Sequence, residues 1–114
     1  MRFIILLPLL LGLFFMAHAA EPAPTPLRVL IISAPAPTSA EYRVQAALLL
    51  PAWSGLIERD FMIQTRFEGR PFSVSLIGKD GGEKLHRQQP VTPEEIFALV
   101  DTMPMRRAEM LERK

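Results

Sequence analysis

Apolar residues in this chain gather in short runs whose spacing changes from segment to segment. Leu27-Arg28-Val29-Leu30-Ile31-Ile32 is a β-branched apolar run with proline on either side, which predicts a central strand buried on both faces of a sheet. Ala34-Pro35-Ala36-Pro37 ends it, and Thr38 with Glu41 three residues later forms a capping-box pattern that opens a helix. The helix carries Val44, Ala47 and Leu48 towards Leu56. Pro51 interrupts it: proline has no N–H to donate and its ring would clash with the carbonyl of Ala47, at ~3 kcal/mol in a regular helix. A kink or restart is therefore expected at Pro51, with a second helical piece ending near Arg59. Asp60 then turns the chain into a second strand over 61–66, and a strand, helix, strand unit predicts parallel pairing with a right-handed crossover.

The second half reads as a hairpin and a helix. Phe72-Ser73-Val74-Ser75-Leu76-Ile77 is a third strand, and Gly78-Lys79-Asp80-Gly81-Gly82 is a turn centred on Asp-Gly, a pair that tolerates positive φ. Glu83 to Gln88 is polar enough to suit an edge strand. Thr92-Pro93-Glu94-Glu95 predicts a helix start, with Thr92 as cap, Pro93 at the first helical position and Glu95 completing the box. Ile96, Phe97, Leu99, Val100 and Met103 give that helix one apolar face, and Pro104 is read as its end.

The N-terminal segment has a different pattern. Met1-Arg2 is a positive start, residues 3–16 are apolar apart from Pro8 and Gly12, and Ala17-His18-Ala19 supplies small residues at a cleavage site. This predicts an export signal over 1–19, cut after Ala19. A retained membrane anchor is the competing reading, but about fourteen residues at ~1.5 Å rise reach only ~21 Å against a hydrocarbon core of ~30 Å. Residues 20–26 alternate proline and alanine and read as an extended tether. One domain is then expected over 27–107, with a basic tail over 108–114.

Loss of Arg2 with the signal brings the thirteen basic residues down to equality with the twelve acidic ones. Near-neutrality argues against nucleic acid or an anionic membrane surface as a partner, since both select for positive excess. The chain has no cysteine, which removes lipidation at a thiol and disulfide stapling alike. Stability must come from packing or from a partner.

The order strand, helix, strand, strand, strand, helix resembles a thioredoxin-like domain, an α/β fold with a four-stranded mixed sheet in the order 2-1-3-4. A closer similarity is to the thioredoxin-like DUDES family, carried by Gly55-Leu56-Ile57-Glu58-Arg59-Asp60, by residues 76–85, and by Phe97 through Met103-Pro104-Met105-Arg106-Arg107. That family is a domain of unknown function, found singly in exported bacterial proteins and in vertebrate extracellular proteins with sushi repeats or coiled-coil segments. The resemblance implies an exported fold, secreted or periplasmic, and little about activity.

Two departures from the thioredoxin-like pattern matter. Only Phe67-Glu68-Gly69-Arg70-Pro71 separates the second and third strands, where a helix is usual; five residues reach ~16 Å and need to cross ~9.6 Å, so the helix is missing or truncated without breaking the order. One sheet face is then left bare, which predicts a weak homodimer or a standing protein partner. The second departure is chemical. Ser33-Ala34-Pro35-Ala36-Pro37-Thr38 stands where a Cys-x-x-Cys would be, so thiol–disulfide exchange is ruled out.

Other chemistry weighs lightly. His86 is the only histidine after the signal and reads as a solvated edge residue. Gly78-Lys79 lacks the rest of a phosphate loop, since Ser73 stands at the first glycine position and Asp80 at the Ser/Thr position. A hairpin turn accounts for Asp80, and a solvated strand for Glu83. Ser33 and Thr38 have no base near in sequence, and the methionines and Trp53 read as core filler. No catalytic, cofactor or metal-ligating residue is assigned. The expected activity is protein or peptide binding in a groove formed by Ser33, Ala34, Pro35 and Thr38 with Arg70, Pro71 and Phe72, and Arg106 and Arg107 are separate candidate partner contacts. A thiol-independent enzyme derived from an oxidoreductase, or a structural homodimer, are the alternatives.

Overall fold

The computed structural model of the protein describes residues 26–113, so the expected signal and nearly all of the tether lie outside the described residues. Strand β1 (Arg28–Ser33) is followed by helix α1 (Ala40–Leu49), a 3-10 turn (Leu50–Ala52) and helix α2 (Trp53–Glu58). Strand β2 (Phe61–Arg66), strand β3 (Ser73–Ile77) and strand β4 (Glu83–Arg87) follow, then helix α3 (Pro93–Val100) and helix α4 (Pro104–Glu112). The sheet order is β2-β1-β3-β4, with β1 parallel to β2 and the two other pairings antiparallel. This is the mixed α/β sheet expected from the sequence, with no helix between β2 and β3.

Register explains where the core sits. Leu30 stands between Ile63 and Leu76, and Leu76 faces Leu85, so one row of side chains crosses all four strands. Leu30, Ile32, Phe61, Val74, Leu76 and Leu85 meet Leu49 and Leu56 from the first helical stretch and Ile96 and Val100 from α3 in a single core. The helices therefore share one side of the sheet. β1 was expected to be buried on both faces, but it alternates: Arg28, Leu30 and Ile32 are buried while Val29, Ile31 and Ser33 are half-buried. The bare face is the consequence of the short link, and no described helix covers it.

Local chemistry sets the helix positions. Pro51 sits in the 3-10 turn, where its missing N–H costs no regular helical bond, and the axis restarts at Trp53. The cap of α1 is Ser39 rather than Thr38, and its hydroxyl makes no capping bond. The buried positions of α1 are Gln45 and Leu49, not the expected Val44 stripe, because Gln45 is committed to the loop before α3: its amide donates to the Val91 carbonyl at 2.9 Å and accepts from the Val91 N–H at 2.8 Å. Thr92 caps α3 by accepting from the Glu95 N–H at 3.2 Å, while the Glu95 carboxylate turns outward to Arg87 instead of closing the box. Gly55 lets α2 approach α3, since a Cβ there would lie 2.7 Å from the Phe97 ring. Trp53 is 47% exposed, so it is not core filler.

Pro104 does not end the helical region. α3 stops at Val100 and Pro104 occupies the first turn of α4, where its fixed φ suits a helix start. The residues read as a tail from 108 are therefore helical through Glu112, because Glu109 and Arg106 anchor the helix to the rest of the domain.

Candidate functional site

The stretch Ser33–Pro35 lies against the link between β2 and β3 that carries Arg70, Pro71 and Phe72. Ser33 faces Ser73 across the sheet, the Ala34 N–H donates to the Arg66 carbonyl at 2.9 Å, and the Gly69 N–H donates to the Pro35 carbonyl at 3.2 Å. The link between β2 and β3 turns on Glu68 and Gly69, both at positive φ. Ala34 and Phe72 are buried in the core, however, and only Pro35, Thr38, Arg70 and Pro71 of this set are exposed. The surface there is a tight turn stitched by backbone bonds.

A denser arrangement lies at the opposite end of β1 and went unread in the sequence. Arg28, 1% exposed, enters the core side of the sheet from β1 and donates through both terminal nitrogens to Glu109 of α4, at 3.1 and 3.2 Å, and to the Arg59 carbonyl at 2.8 Å. Lys79, from the turn between β3 and β4, donates to the same Glu109 at 2.7 Å and to Asp60 at 2.8 Å. Arg106, also 1% exposed, reaches Asp101 at 3.1 Å and Glu58 at 2.9 Å. Arg59 holds Asp101 with a two-pronged contact at 2.9 and 3.0 Å while its guanidinium lies 4.0 Å over the Phe97 ring. Five elements are joined by this one network. Arg106 is consequently not a partner contact, since its charge is consumed inside the molecule; Arg107 is exposed.

Glu109, Lys79 and Asp101 are held in their ordinary ionised forms. Burial pushes the Glu109 carboxyl up, but the hydrogen bonds from Arg28 and Lys79 outweigh it and hold it below the usual carboxylate range. Lys79 loses by burial and gains more from Asp60 and Glu109, so its ammonium is held above the ordinary value. Asp101 is lowered first by the Arg59 hydrogen bond, against burial and with help from Arg106. A carboxylate held down and an ammonium held up are poor proton carriers near neutral pH.

Against this network lies a pocket of about 340 Å³. Leu99, Met103, Pro104 and Met105 form its apolar wall, and Arg28, Lys79, Asp80 and Lys84 its polar side. Lys84 is held at 2.8 Å by Asp80, whose other oxygen accepts the Gly82 N–H at 2.9 Å in the turn. Gly78 belongs to the lining, and a Cβ there would press the Lys84 chain at 2.8 Å. The polar side is thus neutralised by its own partners, and the open wall is aliphatic and thioether.

His86 meets the Ser75 hydroxyl at 2.9 Å on the open face of the hairpin and is exposed. Among the described residues, no group of three or more His, Cys, Asp or Glu side chains is placed to hold a metal ion. No helix among them is long and apolar enough to cross a membrane.

Residues 62–109 match the model of a domain of unknown function, DUF4174. That stretch runs from β2 into α4 and contains every lining residue of the pocket except Arg28. The chain is also similar to the sushi repeat-containing protein SRPX2 of Bos taurus and of Homo sapiens, each 28% identical over 117 aligned positions that cover 76% of this chain. It spans about a quarter of the length of these relatives. No solved structure matches the chain.

Proposed function

We propose that this chain is an exported, non-enzymatic binding module of the DUDES thioredoxin-like type, which takes an apolar side chain of a protein or peptide into the pocket between the Gly78–Gly82 turn and the start of α4. The pocket carries this reading: its open wall is Leu99, Met103, Pro104 and Met105, while each nearby charge already has a partner. Seating a Leu, Met or Phe side chain there stabilises a complex by about 1.5–3 kcal/mol before ordering costs. Methionines suit the task, since their unbranched thioethers repack around guests of different shape.

Catalysis is disfavoured by the same geometry. Glu109 and Lys79 are fixed in their charged forms, and the chain has no thiol to serve as nucleophile. Export rests on the N-terminal sequence pattern and is in keeping with the similarity to sushi repeat-containing proteins.

Selection of a random peptide library on the immobilised protein tests the reading. Wild-type protein should enrich peptides with a recurring large apolar residue. Met105 is 44% exposed, so Met105→Glu should fold normally and lose that enrichment. Equal enrichment by the variant would remove the pocket from the account.

A further inference from the structure

The two outer strands of this sheet are built differently. β4 carries Glu83, Lys84, His86 and Arg87, a charged edge of the kind that resists pairing with another chain. β2 reads Phe61-Met62-Ile63-Gln64-Thr65 with no charge until Arg66. Among the described residues its only neighbour in the sheet is β1. The Asp60 and Arg66 carbonyls accept from the Arg28 and Ala34 N–H groups at 2.8 and 2.9 Å, so the even-numbered residues of this stretch turn their peptide groups towards β1. Phe61, Ile63 and Thr65 therefore turn theirs outward, to the rim of the sheet.

Apolar surface flanks this rim. A cleft of about 230 Å³ lined by Leu50, Trp53 and Ile63, among others, opens on the helical side. Leu50 is 74% exposed and Trp53 47%, and on the other face Met62 is 43% exposed. Such a strand, uncharged over Phe61–Thr65 and flanked by exposed apolar side chains on either face, is a template for a further strand.

We infer that two copies of this chain join β2 to β2, antiparallel about a two-fold axis at Ile63, making one continuous eight-stranded sheet. A two-fold axis perpendicular to the sheet keeps both helical layers on one side and requires facing residues to share a face, which restricts the register to one centred on a residue. Centred on Ile63, the facing pairs are Phe61 with Thr65 of the second copy, Ile63 with its own counterpart, and Thr65 with Phe61. These are the residues whose peptide groups point outward, so each facing pair exchanges two backbone hydrogen bonds. The same register sets the exposed Arg66 beside Asp60 of the second copy at both ends of the seam, where Asp60, although held by Lys79 of its own chain at 2.8 Å, stays 30% exposed and open to a second cation. A register centred on Gln64 would place Arg66 beside Met62 and forfeit that pairing. The association uses the strand edge and not the bare sheet face. It is independent of the pocket, whose lining comes from the β3–β4 side.

Sedimentation velocity of the purified protein, from low to high micromolar concentration, tests the inference. Wild-type protein should shift from monomer to dimer as concentration rises, and the dimer should weaken with added salt. Thr65→Pro deletes one outward N–H per copy and leaves the bonds to β1 intact, so it should weaken association about tenfold or more, a loss of ~1.4 kcal/mol. Arg66→Glu sets like charges together at both ends and should weaken it comparably; this exposed substitution decides the matter if the proline variant fails to fold, as judged by circular dichroism. A monomer at every concentration, or a dimer left intact by both variants, overturns the inference.

Discussion

At the residue scale, the heaviest single commitment is Glu109. It is the one carboxylate shared by Arg28 and Lys79, and it is only 14% exposed. Removing it leaves a guanidinium that is 1% exposed without its counter-charge, so Glu109→Ala should cost about 3 kcal/mol in urea melts. Glu83→Ala on the solvated edge should stay within about 0.5 kcal/mol of wild type. The pH dependence has a defined sign. Glu109 and Asp101 are depressed below their ordinary values of 4.5 and 3.8, so their contribution is complete above those values and is lost as pH falls through the lower folded ones. Lys79 is raised above 10.5, so its contribution is complete below that value and is lost only as pH rises through the higher folded one. Melts should show a stability plateau across the neutral range and an acid limb below about pH 4.5 that is much reduced in Glu109→Ala.

At the scale of elements, α2 and α3 meet where Gly55 lies against the Phe97 ring. Gly55→Ala should cost about 1–3 kcal/mol through overpacking, which outweighs the gain in helix propensity, and a thermal melt at or above the wild-type value would contradict this packing. The strands and the start of α3 were legible in the sequence because proline punctuation, β-branched runs and the Asp-Gly turn act locally. Pro51 and the missing crossover helix were read for the same reason. Pro104 was misread because a proline between apolar positions serves equally as the stop of one helix and the first residue of the next, and only the anchoring of Glu109 and Arg106 decides between them. Trp53 was assigned to the core on residue type alone, yet its exposure depends on where Pro51 resets the helix phase. The candidate site was scarcely legible: Arg28 passed without comment inside an apolar strand, and its partner Glu109 lies far along the chain in α4. An arginine at an inward-facing position of such a run was the one available signal.

At the scale of the whole molecule, helices on one side and a shared ionic network fasten the last helix to the first strand, and the pocket exists only because that helix is docked. The pocket is the proposed contact surface for a protein or peptide. Backbone amide chemical-shift mapping with a library-selected peptide tests it most directly. Shifts should concentrate in Gly78–Lys84 and Leu99–Met105 and leave Ser33–Thr38 and Arg70–Phe72 unmoved. Shifts confined to Ser33–Thr38 and Arg70–Phe72, with the Gly78–Lys84 turn silent, would contradict it.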